Sequence, residues 1–231
     1  MHSGKTFLAI IPARGGSKRL PRKNVLLLAG KPLVAWSIEA AKKSNYIDQI
    51  LLTSDCEDIL DIGRKHNIHT LKRPDHLALD TATGISVLRH AVKCHDQHDF
   101  IVQLQPTSPL RTHQHIDEAI DLLVRKNADA ILSVTEADHN PLWMNTLPPD
   151  ADMSQFLDNQ IKGKRSQDLP TYYQIHGAIV ICNSERLLLE QTCFLKNNIY
   201  AYKMSRESSV DIDNKIDFMF ADFLMKSMRG F

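Results

Sequence analysis

The 231-residue chain is 43% apolar, enough for one hydrophobic core, and nothing in it demands a second domain, so residues 1–231 are taken as one unit. Its 28 Lys+Arg stand against 27 Asp+Glu, so it lacks the overall positive field of a nucleic-acid binder, and DNA and RNA are set aside as partners. No window is apolar for long enough to span a membrane and the start, Met1-His2-Ser3-Gly4-Lys5, begins no signal-peptide core, so a soluble, cytoplasmic protein is expected.

The apolar run at residues 7–11 predicts a buried first strand. It opens into Pro12-Ala13-Arg14-Gly15-Gly16-Ser17-Lys18-Arg19-Leu20-Pro21-Arg22-Lys23-Asn24, where Arg14, Lys18, Arg19, Arg22 and Lys23 place five cations within ten residues. Gly15 and Gly16 can take positive φ and turn consecutive backbone N–H groups toward one point, which is chemistry for a polyphosphate. A basic surface turn is the plainer alternative. The spacing fits neither the Walker loop nor the three-glycine dinucleotide fingerprint.

Residues 33–43 carry apolar side chains at helical spacing and predict the first covering helix. A short run at 50–52 predicts a second strand ending in Thr53-Ser54-Asp55, where Ser54 or Asp55 can cap a helix over 56–66. A short edge at 70–72 leads into Arg73-Pro74, and Asp80-Thr81-Ala82-Thr83 then precedes a helix with Ile85, Leu88, Ala91 and Val92 on one side. Residues 100–104 predict another buried strand, followed by Gln105-Pro106-Thr107-Ser108-Pro109-Leu110-Arg111. A helix over 114–126 has Asp117 and Glu118 in its first turn and Arg125 and Lys126 in its last, as its dipole favours, and a strand follows at 130–134. Uniformly apolar strands between amphipathic helices indicate an α/β fold with a mostly parallel sheet covered on both faces. Ligands of such sheets sit beyond the carboxyl ends of the strands, where the basic loop, residues 105–111 and Asp55 all fall.

From 136 to 175 no period is sustained, and Pro-rich turns such as Leu147-Pro148-Pro149-Asp150 recur. So long a stretch without pattern is expected to be functional, disordered, or ordered by a partner. Strands at 177–181 and 199–203 bracket a short helix at 185–190, and an amphipathic helix carries Ile216, Met219, Phe220, Phe223 and Leu224. Cys56, Cys94, Cys182 and Cys193 form no C-x-x-C pair and are expected as free, mostly buried thiols. His90, His95, His98, His113 and His115 lack ligand spacing and are expected at the surface.

In Val210-Asp211-Ile212-Asp213 alternate side chains of an extended backbone share a face, so Asp211 and Asp213 point together and Val210 and Ile212 face the core. Two such carboxylates suit a cation between them; equally, Asp213 can cap the last helix and Asp211 be a surface charge.

Ala13, Arg14, Ser17, Lys18, Leu20, Pro21, Lys23 and Asn24 stand in the order Ala-Arg-x-x-Ser-Lys-x-Leu-Pro-x-Lys-Asn, followed by Gly30-Lys31-Pro32-Leu33 and Ala35-Trp36-Ser37-Ile38. This, with the whole of residues 105–111, resembles the cytidylyltransferases that activate sialic acids and related nonulosonic acids. The resemblance runs from residue 7 to about 224 and implies a Rossmann-like nucleotidyltransferase fold, CTP and a nonulosonic acid as substrates, and CMP-sugar and pyrophosphate as products. It implies that Arg14, Lys18 and Lys23 balance the triphosphate within a loop made by Ala13, Gly15, Gly16, Ser17 and Asn24, with Arg73 and Ala82 enclosing the cytidine. It further implies Mg²⁺ on Asp211 and Asp213, Gln105 and Gln174 at the acceptor, and a homodimer with shared active sites. In that dimer an arm, residues 136–176, carries Arg165 into the neighbouring subunit's acceptor site.

The general base is not evident. Three positions depart from the family pattern: Trp143 follows His139-Asn140-Pro141-Leu142 where sialate-activating members have a basic residue, Gln174 stands where an arginine can be found, and His176 replaces the Asn of Asn-Gly-Ala-Ile. An indole and an amide in place of cations would favour a deoxy, amide-bearing sugar such as legionaminic acid, if Trp143 lines the pocket; packing within the arm or a dimer interface is the alternative. Two further alternatives are activation of another acidic sugar, such as a 3-deoxy-octulosonate, and a nucleotide-binding protein without turnover.

Overall fold

The computed structural model describes residues 2–229. Its strands are β1 (Phe7–Pro12), β2 (Leu27–Leu28), β3 (Lys31–Pro32), β4 (Gln49–Ser54), β5 (His69–Lys72), β6 (Phe100–Gln103), β7 (Ala130–Glu136), β8 (Tyr173–Asn183) and β9 (Ile199–Lys203). Its α-helices are α1 (Leu33–Lys43), α2 (Glu57–Lys65), α3 (Gly84–Lys93), α4 (His113–Lys126), α5 (Ser184–Glu190) and α6 (Lys215–Arg229). Seven strands form one sheet in the order β5-β4-β1-β6-β8-β7-β9, parallel throughout except for β8, which runs antiparallel to β6 and β7. Among the described residues no helix is long and apolar enough to cross a membrane.

The unbroken apolar run of β1 reflects burial on both faces. Phe7, Ala9 and Ile11 pack on one side with Val34 and Ile38 of α1 and Ile116 and Ile120 of α4, while Leu8 and Ile10 pack on the other with Leu88 of α3 and Leu187 of α5. Strand order reverses at β1, which lies between β4 and β6, so a crevice opens at its carboxyl end where the basic loop emerges. A third cluster joins Leu28, Leu33 and Trp36 to Ile212, Ala221 and Met225, fastening α6 and the acidic segment to the base of α1.

Several local expectations are corrected by competing partners. Neither Ser54 nor Asp55 caps α2: Ser54 Oγ accepts from the Cys56 N–H, and Asp55 Oδ1 accepts from the Gly15 N–H at 2.9 Å. Helix α4 begins at His113, which leaves Asp117 beyond the first turn; its carboxylate instead takes bonds from Ser44 and Asn45 and fixes the link between α1 and β4. Strand β8 begins four residues before the expected 177, because Tyr173, Gln174 and Ile175 pair with β7 in backbone only and leave exposed side chains. Helix α6 turns Ala221 and Met225 inward, whereas Ile216, Met219, Phe220 and Phe223 are exposed. His98 is buried, with Nδ1 bonded to the Asp96 carbonyl, and of the four cysteines only Cys182 and Cys193 are buried. Residues 137–172 contain no strand or α-helix, only the 3-10 turns Pro141–Trp143 and Ser166–Asp168, and expose Met144, Leu147 and Met153.

Candidate active site

The loop after β1 is shaped by close approach. A Cβ on Gly15 would stand 2.7 Å from Cys56 Cβ, so only glycine fits beside Asp55, and neither Gly15 nor Gly16 takes positive φ. The left-handed residue is Arg22, φ 55°. Because its N–H is given to Asp55, Gly15 does not present that N–H to a ligand. Ala13 is fully buried with its N–H on the Thr53 carbonyl, so it belongs to the core.

What the loop offers is side-chain charge. Arg14, Lys18, Arg19, Lys23 and Arg73 line a cavity of about 520 Å³, against which only Asp80 and Asp213 bring negative charge. Asp80 accepts from Arg14 at 2.8 Å and Lys18 at 2.6 Å, and these two partners hold its carboxyl below the usual carboxylate range. Asp213 holds Arg19 at 2.9 Å and lies 3.8 Å from Lys23 Nζ, which also donates to the Ile212 carbonyl at 2.5 Å. Burial lowers the Lys23 pKa against the opposing pull of Asp213 and Asp211. The cations are thus held in place by two carboxylates too few to neutralise them, an arrangement suited to a polyanion. Asn24 Nδ2 ties down the Arg14 carbonyl at 2.8 Å, and Ser17 lies on the same wall. The pairing of Asp80 with Arg14 spans 66 residues, so nothing local in the sequence marks Asp80 as a charge partner.

The opposite wall is apolar and backed by a buried cation. Arg73 is 5% exposed, donates to the Thr53 carbonyl at 3.0 Å, and has its pKa lowered by burial. Leu77, Leu79, Ala82 and Val87 line the space beside it, giving a surface on which a flat ring can lie.

The two acids line different cavities. Asp213 faces the basic cavity, while Asp211 lines a second one, about 820 Å³, with Gln174, His176 and Ser209. Asn214 Oδ1 caps α6 by accepting from the Ile216 N–H at 2.8 Å, and Asp217 takes the Asp213 and Asn214 N–H groups. The capping alternative for Asp213 therefore fails, and its carboxylate is free to face the cations. Ile212 is fully buried between the acids and donates its N–H to the Thr107 carbonyl at 2.8 Å, which locks the segment to residues 105–111. The Asp211 carboxyl is pushed above the usual carboxylate range, first by desolvation and further by Asp213, with the Thr107 hydroxyl opposing. Although Asp211 as a residue is exposed, the surrounding protein leaves its carboxyl poorly solvated.

Gln105 lines both the basic cavity and a third of about 430 Å³, walled by Ile85, Leu88, Leu132, Val180 and Phe194. Two expected residues are not brought here. Arg165 is exposed, pairs with Asp168 at 3.0 Å, and lines none of these three cavities; Trp143, 41% exposed, lines none of the three either.

His176 lies buried between the second and third cavities with Nε2 3.2 Å from Ser209 Oγ. Burial pushes its pKa down from 6.5 to about 4. Between those values the unfolded chain holds the extra proton, so the contribution of His176 is fully present above 6.5 and is lost as the pH falls toward 4. In urea titrations across that window, the stability of His176→Asn is expected to decline less steeply than that of the wild type; equal slopes would show that His176 is not kept neutral by the fold.

The fold has counterparts among known proteins. The solved CMP:2-keto-3-deoxy-manno-octonic acid synthetase in complex with CTP superposes with a TM-score of 0.74, covering 96% of this chain and 99% of that one; at 15% identity this speaks for the fold. N-acylneuraminate cytidylyltransferase of Streptococcus agalactiae is 37% identical over 216 residues, which are 92% of this chain and 51% of that protein, so the chain spans about half its length. CMP-N,N'-diacetyllegionaminic acid synthase of Legionella pneumophila is 31% identical over 231 residues, covering 95% of this chain and 96% of the relative. The family model described as Cytidylyltransferase matches residues 8–226, a span that holds the basic loop, the Gln105–Arg111 turn and the acidic pair; the chain belongs to the cytidylyltransferase family.

Proposed function

We propose that the chain transfers CMP from CTP to the anomeric hydroxyl of a nonulosonic acid and releases pyrophosphate. The observation that carries this reading is the meeting of Arg14, Lys18, Lys23 and Asp213 on one cavity, with Asp211 opening onto the next. The anomeric oxygen attacks the α-phosphorus in line, its bond to phosphorus forms as the bond to the pyrophosphate oxygen breaks, and no covalent enzyme intermediate is needed. Arg14, Lys18 and Lys23 neutralise the triphosphate, Arg73 and Ala82 enclose the cytidine, and Gln105 and Gln174 meet the acceptor. Ser17 and Asn24 shape the loop around the phosphates.

Among the described residues no three His, Cys, Asp or Glu side chains gather as a metal cage. Mg²⁺ needs only one or two carboxylates when phosphates complete its shell, and the poorly solvated Asp211 beside the uncapping Asp213 fits that demand. Asp211 and Asp213 would hold the ion, which when bound supplies further neutralisation of charge on the phosphates.

For the acceptor, the departures bear on the reading unequally. Trp143 stands outside the three cavities described, so the case for a deoxy sugar passes to Gln174 and to the apolar wall around Ile85, Leu132 and Phe194. We favour a 9-deoxy, di-N-acylated acid of the legionaminic kind, made in the cytoplasm where CTP is available. The test is pyrophosphate release across the four nucleoside triphosphates with N-acetylneuraminic, legionaminic, pseudaminic and 3-deoxy-octulosonic acids. CTP with legionaminic acid is expected to lead N-acetylneuraminic acid by about 10- to 1,000-fold in kcat/KM, as one buried methyl and one unpartnered hydroxyl imply. Equal or better use of N-acetylneuraminic acid would reverse the acceptor assignment, and release with another nucleotide would reverse the donor.

We further propose a homodimer in which residues 136–176 form an arm that completes the partner's site. Supporting it are the exposed Arg165 outside its own cavities and the uncovered Phe220, Phe223, Met144 and Leu147.

A further inference from the structure

Gly177 of β8 occupies a place where an added side chain would first strike one group. A Cβ built there falls on the terminal carboxamide of Gln105, meeting its Oε1, Cδ and Nε2 before any other atom. Backbone conformation is not the reason for glycine, since φ at 177 lies outside the left-handed range. The carboxamide of Gln105 therefore rests against the Gly177 main chain.

The other end of Gln105 is clamped. Its carbonyl accepts from Ser37 Oγ at 3.3 Å and from Arg111 Nη2 at 3.3 Å. Arg111, 2% exposed, also donates through Nη2 to Ser37 Oγ at 2.6 Å and through Nε to the Ala178 carbonyl at 3.0 Å. The guanidinium fork thus ties the Gln105 main chain to the residue following Gly177. Thr107 Oγ1 lies 3.4 Å from Gln105 Oε1, which leaves the amide nitrogen as the donor for a ligand.

We propose that Gly177 is a positioning residue for Gln105: by lacking a Cβ it lets the carboxamide lie at the boundary of the basic cavity and the third cavity. This rests on the reading that Gln105 meets the acceptor. Displaced by a methyl group, the amide has nowhere to lie except into one of those two cavities. Because only the end of a flexible side chain must move, Gly177→Ala leaves the fold intact.

The experiment is a double-mutant cycle of Gly177→Ala and Gln105→Ala, measuring kcat/KM for the acceptor and KM for CTP, with melting temperatures as a control. Gly177→Ala is expected to lower kcat/KM for the acceptor about tenfold, because a displaced contact group forfeits its orientation, with KM for CTP within about twofold. In the Gln105→Ala background the same change is expected to have no further effect, since no carboxamide remains to be displaced. An equal loss in both backgrounds, or no loss with Gln105 present, overturns the proposal. If Gln105→Ala alone leaves acceptor kinetics unchanged, it is the assignment of Gln105 to the acceptor that fails, and the positioning role falls with it.

Discussion

Asp211→Ala and Arg14→Ala are each expected to lower kcat/KM at least ~100-fold, roughly 3 kcal/mol of transition-state stabilisation, with the fold preserved. For Arg14 the protein-side cost is small, because its side chain is 42% exposed and paired with an exposed Asp80. For Asp211 the sign of the stability change follows from its raised pKa. The folded protein holds the proton more tightly than the unfolded chain, so the carboxyl detracts from stability as the pH rises through its folded pKa. Alanine removes that penalty along with the Thr107 bond, and urea melts should show a shallower decline on raising the pH from the acid side. The activity loss has a different origin: a carboxylate held in an unfavourable setting is retained for what it does with substrates present. A folded variant of either kind that keeps more than about a tenth of wild-type activity, about 1.4 kcal/mol, refutes the role given to that residue.

The order of basic and acidic groups was legible where burial or local spacing left a mark. The run at 7–11 is uniformly apolar because both faces of β1 are covered, and the basic loop follows from the end of that strand. Lys18, Lys23, Arg73, Ala82 and Gln105 share the cavity with Arg14 because each lies at the end of a strand or in the loop after it. Asp55 was legible beside the basic loop from its place at a strand end, but its bond to Gly15, 40 residues away, was not, and Asp80 was not legible at all, since its partner Arg14 lies 66 residues away and a lone acid in a loop carries no sign of its partner. The start of β8 was hidden for another reason. Tyr173, Gln174 and Ile175 make backbone bonds to β7 with exposed side chains, so neither alternation nor an apolar run marks the pairing. On α6 the hydrophobic residues themselves mislead: the face turned to the protein holds Ala221 and Met225, and the larger Ile216, Phe220 and Phe223 face outward. A helix with apolar residues on more than one face has more than one surface to cover.

That outward face and the arm bear on the second large effect. Mixing Arg165→Ala with Asp211→Ala, each nearly inactive alone, is expected to restore activity to about a quarter of the wild-type level if subunits exchange at random. The arithmetic follows from two-fold symmetry: about half the dimers are mixed, and in each mixed dimer one site combines an intact Asp211 with an intact Arg165 from the other chain, while both lesions fall in the second site. The geometry behind the prediction is that Arg165 lies within residues 137–172, which hold no α-helix or strand, has its side chain paired with Asp168, and lies outside the three cavities described above. If Arg165 acted within its own chain, both lesions would be carried by separate sites and mixing would restore nothing. Failure to recover activity in dimers shown by mass spectrometry to be mixed would therefore rule out the shared site, and a monomer by light scattering would rule out the dimer itself.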